Sequence, residues 1–266
     1  MSENLLGKTV LLPEKRAPEI LFAIPRSLSR KTLGLEDSSL PFEGFDDWNC
    51  YEFSWLDNKG KPNRRFLRLL FPCSSPFLVE SKSLKLYLSS YLQERFSSEE
   101  QVVSLIENDL TKLLKTEVKA TFSSPPAPLE VSGKCLDHLE ISIDAYTPNP
   151  SLLATEDNSA EELLYTDLFK SNCPVTGQPD YATVAIAYKG KKISKEGLLT
   201  YLISYRNHQE YHECCVERIF IDLQKRCSPE KLSVAARFTR RGGIDINPYR
   251  HTANTSPLSI ERVLFQ

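Results

Sequence analysis

Ser171-Asn172-Cys173-Pro174-Val175-Thr176-Gly177-Gln178-Pro179-Asp180 is the stretch from which the rest of the chain can be read. Two prolines and a glycine cannot continue a helix or a central strand, so turn geometry fixes the backbone here. Beyond it, residues 181–188 carry apolar side chains at alternate positions (Val184, Ile186, Tyr188), as a half-buried strand does. Before it, residues 163–170 form a second strand candidate. A cysteine opens the turn and a carboxylate closes it. A thiol held at the mouth of a strand with an acid nearby suits covalent catalysis. A buried structural cysteine beside a turn-forming aspartate fits the same residues.

Reading outward through the second half, residues 189–192 with Gly190 predict a turn. A helix begins near Ser194 and carries Leu198, Leu199, Leu202 and Ile203, with a break near Asn207. A second helix carries Val216, Ile219, Phe220 and Leu223, and residues 231–240 alternate again. The first half follows the same order. Residues 49–56 and 64–71 predict two strands around the hairpin turn Asn58-Lys59-Gly60. Leu84, Tyr87, Leu88 and Tyr91 fall at helical spacing, and Ser98 with Gln101 is a capping-box pattern ahead of Val102, Leu105, Ile106 and Leu110. Strands around 117–122 and 139–146 complete that half. The pattern predicts an α+β protein of two similar units, each an antiparallel sheet with a helix pair on one face. Residues 1–47 read as an irregular arm, 48–147 as the first unit, 148–162 as an aperiodic linker and 163–266 as the second unit.

At 266 residues, with 41% hydrophobic and 26% charged side chains, the chain is globular in composition. A net charge of -2 argues against a duplex nucleic-acid binder, which needs a basic surplus. Seven irregularly spaced cysteines are not a disulfide framework, so a reducing, cytoplasmic compartment is expected. Residues 1–16 lack the apolar core of an export signal, and the run 198–205 is too short to span a bilayer.

Three further clusters could carry chemistry. His208 and His212 would share a face if both stood on a helix, at a spacing that can bind metal, although the flanking residues are not those of a zinc protease. Glu80-Ser81-Lys82-Ser83 sits at an expected helix start, where free amides, hydroxyls and a lysine suit phosphate; an ordinary capped helix accounts for it too. Thr239-Arg240-Arg241-Gly242-Gly243 combines close backbone approach with two guanidinium groups, and a hairpin with surface arginines explains it equally well. Neither a dinucleotide-binding glycine fingerprint nor a phosphate-binding P-loop occurs.

Taken together these motifs resemble the NADPH-dependent 7-cyano-7-deazaguanine reductases, the nitrile reductases of queuosine biosynthesis. The likeness runs through Pro25-Arg26-Ser27-Leu28-Ser29-Arg30, Tyr51-Glu52-Phe53-Ser54-Trp55-Leu56 and Glu80-Ser81-Lys82-Ser83-Leu84-Lys85-Leu86-Tyr87. It continues through Ser171-Asn172-Cys173, Gln178-Pro179-Asp180, His212-Glu213, Cys215-Val216-Glu217-Arg218-Ile219 and Arg240-Arg241-Gly242-Gly243. The motif order resembles the long form of the family, which implies two tandem tunnelling-fold (T-fold) units and a homodimer. The resemblance implies roles as well. Cys173 would attack the nitrile carbon to give a thioimide, Asp180 would protonate the nitrogen, and His212 would stand beside the reacting carbon. Val79, Glu80, Ser81, His212 and Glu213 would hold the deazapurine, and Ser81, Lys82, Arg241 and Gly242 the NADPH. No metal, membrane or nucleic-acid partner is implied. A cysteine hydrolase or amidotransferase, and a purine- or pterin-binding T-fold protein, are the alternatives.

Overall fold

In the long strand near residue 50, the core-facing set of large side chains changes parity along its length. Trp48 and Cys50 are buried at even positions, then Phe53 and Trp55 at odd ones. A register shift between Cys50 and Phe53 causes the change, because one extra residue in a strand turns every later side chain to the other face. A computed structural model describes residues 12–255, 258 and 262–266 of the chain. The leader reading for residues 1–11 lies outside them.

Residue contacts resolve two compact units: residues 1–38, 45–125 and 240–245 in the first, and 39–44, 126–239 and 246–266 in the second. The expected second unit therefore gives up residues 240–245 to the first, and strand structure begins at Thr155, inside the expected linker.

The first unit contains β1 (Ala23–Pro25), α1 (Ser27–Thr32), β2 (Glu43–Leu56, whose first two residues count with the second unit) and β3 (Pro62–Pro72). It continues with β4 (Phe77–Val79), α2 (Ser81–Ser89), α3 (Glu99–Leu114) and β5 (Lys119–Ser123). Strands β2, β3 and β5 form an antiparallel sheet with β3 in the middle. β1 pairs with β4, so the expected irregular arm contains ordered structure. Helix α3 begins where the capping box predicts: Ser98 Oγ accepts the Gln101 amide at 3.3 Å, and the Gln101 side chain accepts the Ser97 amide at 3.1 Å. Val102, Ile106 and Leu110 are its buried stripe.

The second unit contains β6 (Lys134–Cys135), β7 (Thr155–Asn172), β8 (Pro179–Ile193), α4 (Lys195–Ile203), α5 (His212–Cys227), β9 (Lys231–Phe238) and β10 (Ile244–His251, its first two residues counting with the first unit). The order β10-β9-β8-β7 is antiparallel, with β6 added in parallel beside β7. Helix α5 packs on β8 and β9, and α4 on β7.

Three sequence expectations need correction. Residues 189–192 continue β8 and do not turn; Gly190 (φ 157°) is there because a Cβ would press to 3.0 Å from Pro229 Cα. Residues 139–146 alternate half-buried and exposed side chains, but no strand pairs with them. Strand β10 was hidden by Pro248 and the glycine pair before it, which read as strand breakers.

The two units repeat one another in detail. In each, the first long strand carries a register shift, at Cys50/Phe53 and at Thr166/Phe169, and ends on a residue making an isolated parallel bridge, Leu56 to Arg95 and Asn172 to Gln209. In each, a helical tyrosine shares a hydrogen bond with a tyrosine four residues on, and the first also donates to an aspartate on the next helix. Tyr87–Tyr91 and Tyr87–Asp109 measure 2.7 and 2.6 Å; Tyr201–Tyr205 and Tyr201–Asp222 measure 2.8 and 2.7 Å. Both units carry the same strand shift, the same kind of bridge and the same tyrosine–tyrosine–aspartate contact.

Candidate active site

Cys173 faces inward because of the register shift behind it. Leu164 and Thr166 are buried at even positions of β7; after the shift Phe169 and Ser171 are buried at odd ones, and Cys173 continues that series at 8% exposure. Its N–H donates to the Gln178 carbonyl at 2.8 Å, and its carbonyl accepts the Gly177 N–H at 3.0 Å. That second bond closes a single helical turn that is not continued, and it places Gly177 at φ 67°, where a side chain would be strained. The residue before the thiol is clamped from both sides. Asn172 N–H donates to the His208 carbonyl at 2.8 Å, and the Asn172 carbonyl accepts the Glu210 N–H at 3.1 Å.

Asp180 lies opposite Ser171 across the β7–β8 hairpin and is buried. His212 is the first residue of α5, and its Nε2 stands 3.3 Å from Asp180 Oδ2. The imidazole lies flat on Phe238, with ring centroids 3.9 Å apart and planes inclined by 20°. One ring face is thereby occupied and the Nε2 edge is aimed at the carboxylate. Glu213 follows in the first turn of α5 and is buried, a position where the helix dipole favours a negative charge. The structure thus joins Asp180 to His212 at the base of the turn that presents Cys173.

His208 does not share a helix face with His212, because it stands ahead of α5 in an extended conformation. It meets the Tyr205 ring edge-on at 5.4 Å, and burial with the Arg218 charge nearby pushes its pKa down to about 4. The metal reading of the pair fails on that geometry. Cys215 lies behind Ser171, and burial pushes its thiol well up, with the Glu210 charge adding to the effect. It is no rival nucleophile.

The remaining expected residues belong to the first unit. Val79 ends β4, and Glu80 caps α2. The Glu80 carboxylate accepts the Lys82 amide through Oε1 and the Ser83 amide through Oε2, both at 2.8 Å. The free-amide phosphate seat expected here is therefore filled by the protein's own carboxylate. The Ser81 hydroxyl donates to Glu80 Oε1 at 3.5 Å. Arg241 and Gly242 lie in a tight hairpin: Arg241 N–H donates to Ile244 O at 2.9 Å, and Gly242 and Gly243 have φ 60° and 81°. Arg240 instead lies over the Tyr51 ring at 4.4 Å.

Sequence reasoning missed Phe238 as the platform of His212. Its signal was present, since Phe238 falls on the apolar face of β9 with Leu232, Val234 and Ala236. Nothing in the sequence foreshadowed the bridge from Asn172 to Gln209.

Known proteins match this chain nearly end to end. A family profile described as nitrile reductase, 7-cyano-7-deazaguanine-reductase N-term, covers residues 12–122, and one described as QueF-like protein covers residues 179–257. The NADPH-dependent 7-cyano-7-deazaguanine reductase of Desulfotalea psychrophila is 50% identical over 264 residues, 95% of each chain. The enzyme of that name from Coxiella burnetii is 49% identical over 94% of this chain and 92% of its own, and that of Chromohalobacter salexigens 47% over 95% and 92%. With these identities over these lengths, the chain belongs to the NADPH-dependent 7-cyano-7-deazaguanine reductase family.

Proposed function

We propose that this protein reduces the nitrile of 7-cyano-7-deazaguanine to the aminomethyl group at the expense of two NADPH, as a step in queuosine biosynthesis, through a covalent adduct on Cys173. The observation that carries the reading is the Asp180–His212 contact at 3.3 Å beneath the cysteine turn, in a chain of this family. A nitrile is a poor hydride acceptor. Addition of the Cys173 sulfur to its carbon forms a C–S bond and moves an electron pair to nitrogen, and Asp180 supplies the proton that neutralises it. The product of that step is a thioimide. NADPH, when bound, supplies one hydride to this carbon and, after sulfur departs, a second to the resulting imine.

His212, held flat by Phe238, keeps Asp180 oriented and passes protons to the nitrogen as it goes from imine to amine. Glu213 accepts N–H bonds from the guanine-like edge of the substrate, a pairing whose specificity comes from two parallel bonds on one carboxylate. Glu80 is assigned to the same substrate in the first unit, with Val79 and Ser81. Oε1 accepts the Lys82 amide and the Ser81 hydroxyl, whereas Oε2 accepts the Ser83 amide and keeps a lone pair for the substrate. Lys82, Arg241 and Gly242 fit NADPH. Gly242 and Gly243 both hold a positive φ, 60° and 81°, where a side chain would be strained.

The two tandem units are read as T-folds, supported by the repeated strand order and Tyr–Tyr–Asp networks. All seven cysteines are free, which supports a cytoplasmic setting. No helix among the described residues is long and apolar enough to cross a membrane. Exposed Leu129, Leu264 and Phe265 suit self-association to the expected homodimer.

The deciding experiment is intact mass after mixing the protein with 7-cyano-7-deazaguanine and no NADPH. The wild type is expected to gain the whole nitrile, and Cys173→Ala to gain nothing. Asp180→Asn is expected to form the adduct about 10²–10⁴-fold more slowly, the scale of a positioned acid. A gain that survives Cys173→Ala would sink the covalent mechanism.

A further inference from the structure

One buried hydroxyl beside Asp180 takes no part in the steps assigned to Cys173, Asp180 and His212. Ser171 is 0% exposed, and among the described residues its Oγ meets no hydrogen-bond partner of normal geometry. What lies within its reach is the Cys215 sulfur, a weak acceptor, whose ionisation the hydroxyl eases against the larger upward pull of burial. A buried hydroxyl without a full partner costs stability, and an alanine of nearly the same shape would avoid that cost. Packing alone therefore does not account for an oxygen at this position.

Its place in the sheet supplies a reason. Ser171 and Asp180 are direct partners across the β7–β8 hairpin. Directly opposed residues carry their Cβ atoms about 4.5–5.5 Å apart on one face of the sheet, a span that a serine hydroxyl and a carboxylate can close. Cys173 follows two positions on in the same inward series. A change of χ1 rotamer swings Oγ from Cys215 towards Asp180 without moving the backbone. The other titratable or charged groups around Asp180 are His212 and Cys215 from α5, Lys170 from β7 and Cys173 in the turn. Glu210 and Arg218 act on Cys215 from further round, and β9 contributes the apolar Phe238 beneath His212.

Resting on the nitrile-reductase reading, we propose that Ser171 is a positioning residue that donates its hydroxyl to Asp180 as that carboxyl gives up its proton to the substrate nitrogen. The Asp180 O–H bond breaks and its electron pair stays on the carboxylate. The proton forms the new N–H bond, and the Ser171 proton remains on its own oxygen. While Asp180 is neutral the hydroxyl rests against Cys215. A hydrogen bond made to the charged form and not to the neutral one makes Asp180 a stronger acid. It also meets the charge at the moment it develops, in a site closed to water.

NMR titration of the Asp180 carboxyl carbon, in protein carrying ¹³C-labelled aspartate and no substrate, tests this without any turnover; the resonance is the one lost in Asp180→Asn. Ser171→Ala is expected to raise the midpoint by about one pH unit, a tenfold weaker acid, because the charged form loses its donor. Ser171→Thr keeps a hydroxyl and is expected to hold the wild-type midpoint. Cys215→Ala removes only the resting neighbour and is expected to leave the midpoint in place. With 7-cyano-7-deazaguanine added, Ser171→Ala is expected to form its adduct about tenfold more slowly. Equal midpoints in wild type and Ser171→Ala overturn the proposal, and so does a shift of the same size in Cys215→Ala, which would assign the effect to packing. The outcome is separable from that of the thioimide experiment: wild-type adduct with a Ser171-independent midpoint removes only the role of Ser171, and a Ser171-dependent midpoint without adduct removes only the covalent mechanism.

Discussion

Glu80 illustrates what a single residue reveals and conceals in a sequence. The resemblance assigns it to the substrate, while its carboxylate accepts two backbone amides of its own helix. The helix start was legible; that its amides were already occupied was not, because an N-cap is more often serine, threonine, asparagine or aspartate. Cys173 was legible as a candidate from its turn, but the register shift that faces it inward leaves no local signature in the sequence. His208 carries a prediction at this scale. Its pKa falls from 6.5 to about 4 on folding because burial and Arg218 disfavour the cation. The folded state therefore resists protonation, so the stability it contributes is fully present above pH 6.5 and is lost as pH falls towards 4. Thermal melts at pH 7 and pH 5 are expected to show a smaller difference in His208→Phe than in the wild type. An unchanged difference would assign the acid sensitivity to other groups.

At the scale of elements, the paired tyrosine networks show how helices are locked to each other. Tyr201 is fully buried, and its hydroxyl joins Tyr205 on the turn after α4 to Asp222 on α5. Burial holds Asp222 above the usual carboxylate range, so its hydrogen bond from Tyr201 is what makes the charge tolerable there. Tyr201→Phe is expected to cost about 1–3 kcal/mol in urea unfolding, the penalty for leaving a buried acceptor short of a donor. A cost near zero would mean that water or Arg218 takes over. The strands themselves were the less legible elements. Helices announced themselves through caps and 3.6-residue stripes, whereas β10 opens beside a glycine pair and contains a proline, and residues 139–146 show a strand's alternation without a partner. Alternation reports which side faces the core, and pairing depends on what chain is available alongside.

For the whole molecule the duplication decides how many reactive centres to expect. Aligning the units by their bridges, Leu56 with Asn172, places Asp57 where the second unit has Cys173. Pro62 and Pro179 open the following strands, so Asn63 matches Asp180, and Glu99 opens α3 as His212 opens α5. Glu99 is paired to Arg65 at 2.7 Å. None of the three proposed roles has a matching side chain in the first unit. Exhaustive reaction with 7-cyano-7-deazaguanine is therefore expected to stop at one adduct per chain; two would contradict this alignment. The sequence showed the repeat of elements, but not this correspondence, since the units share few residues at matching positions.

The matching turns also differ in length. Residues 57–61 link β2 to β3, and residues 173–178 link β7 to β8, five positions against six. In the shorter turn Gly60 reaches back three residues to the Asp57 carbonyl, and in the longer one Gly177 reaches back four to Cys173. The chain therefore carries its own insertion experiment, with the same flanking strands, the same anchoring bridge and one residue added. A tight reverse turn became a wider loop, and the wider loop is the one with the thiol. Attempts to build a second nucleophile by replacing Asp57 alone would lack that extra residue. Lengthening the hairpin is the change such a transplant has to begin with.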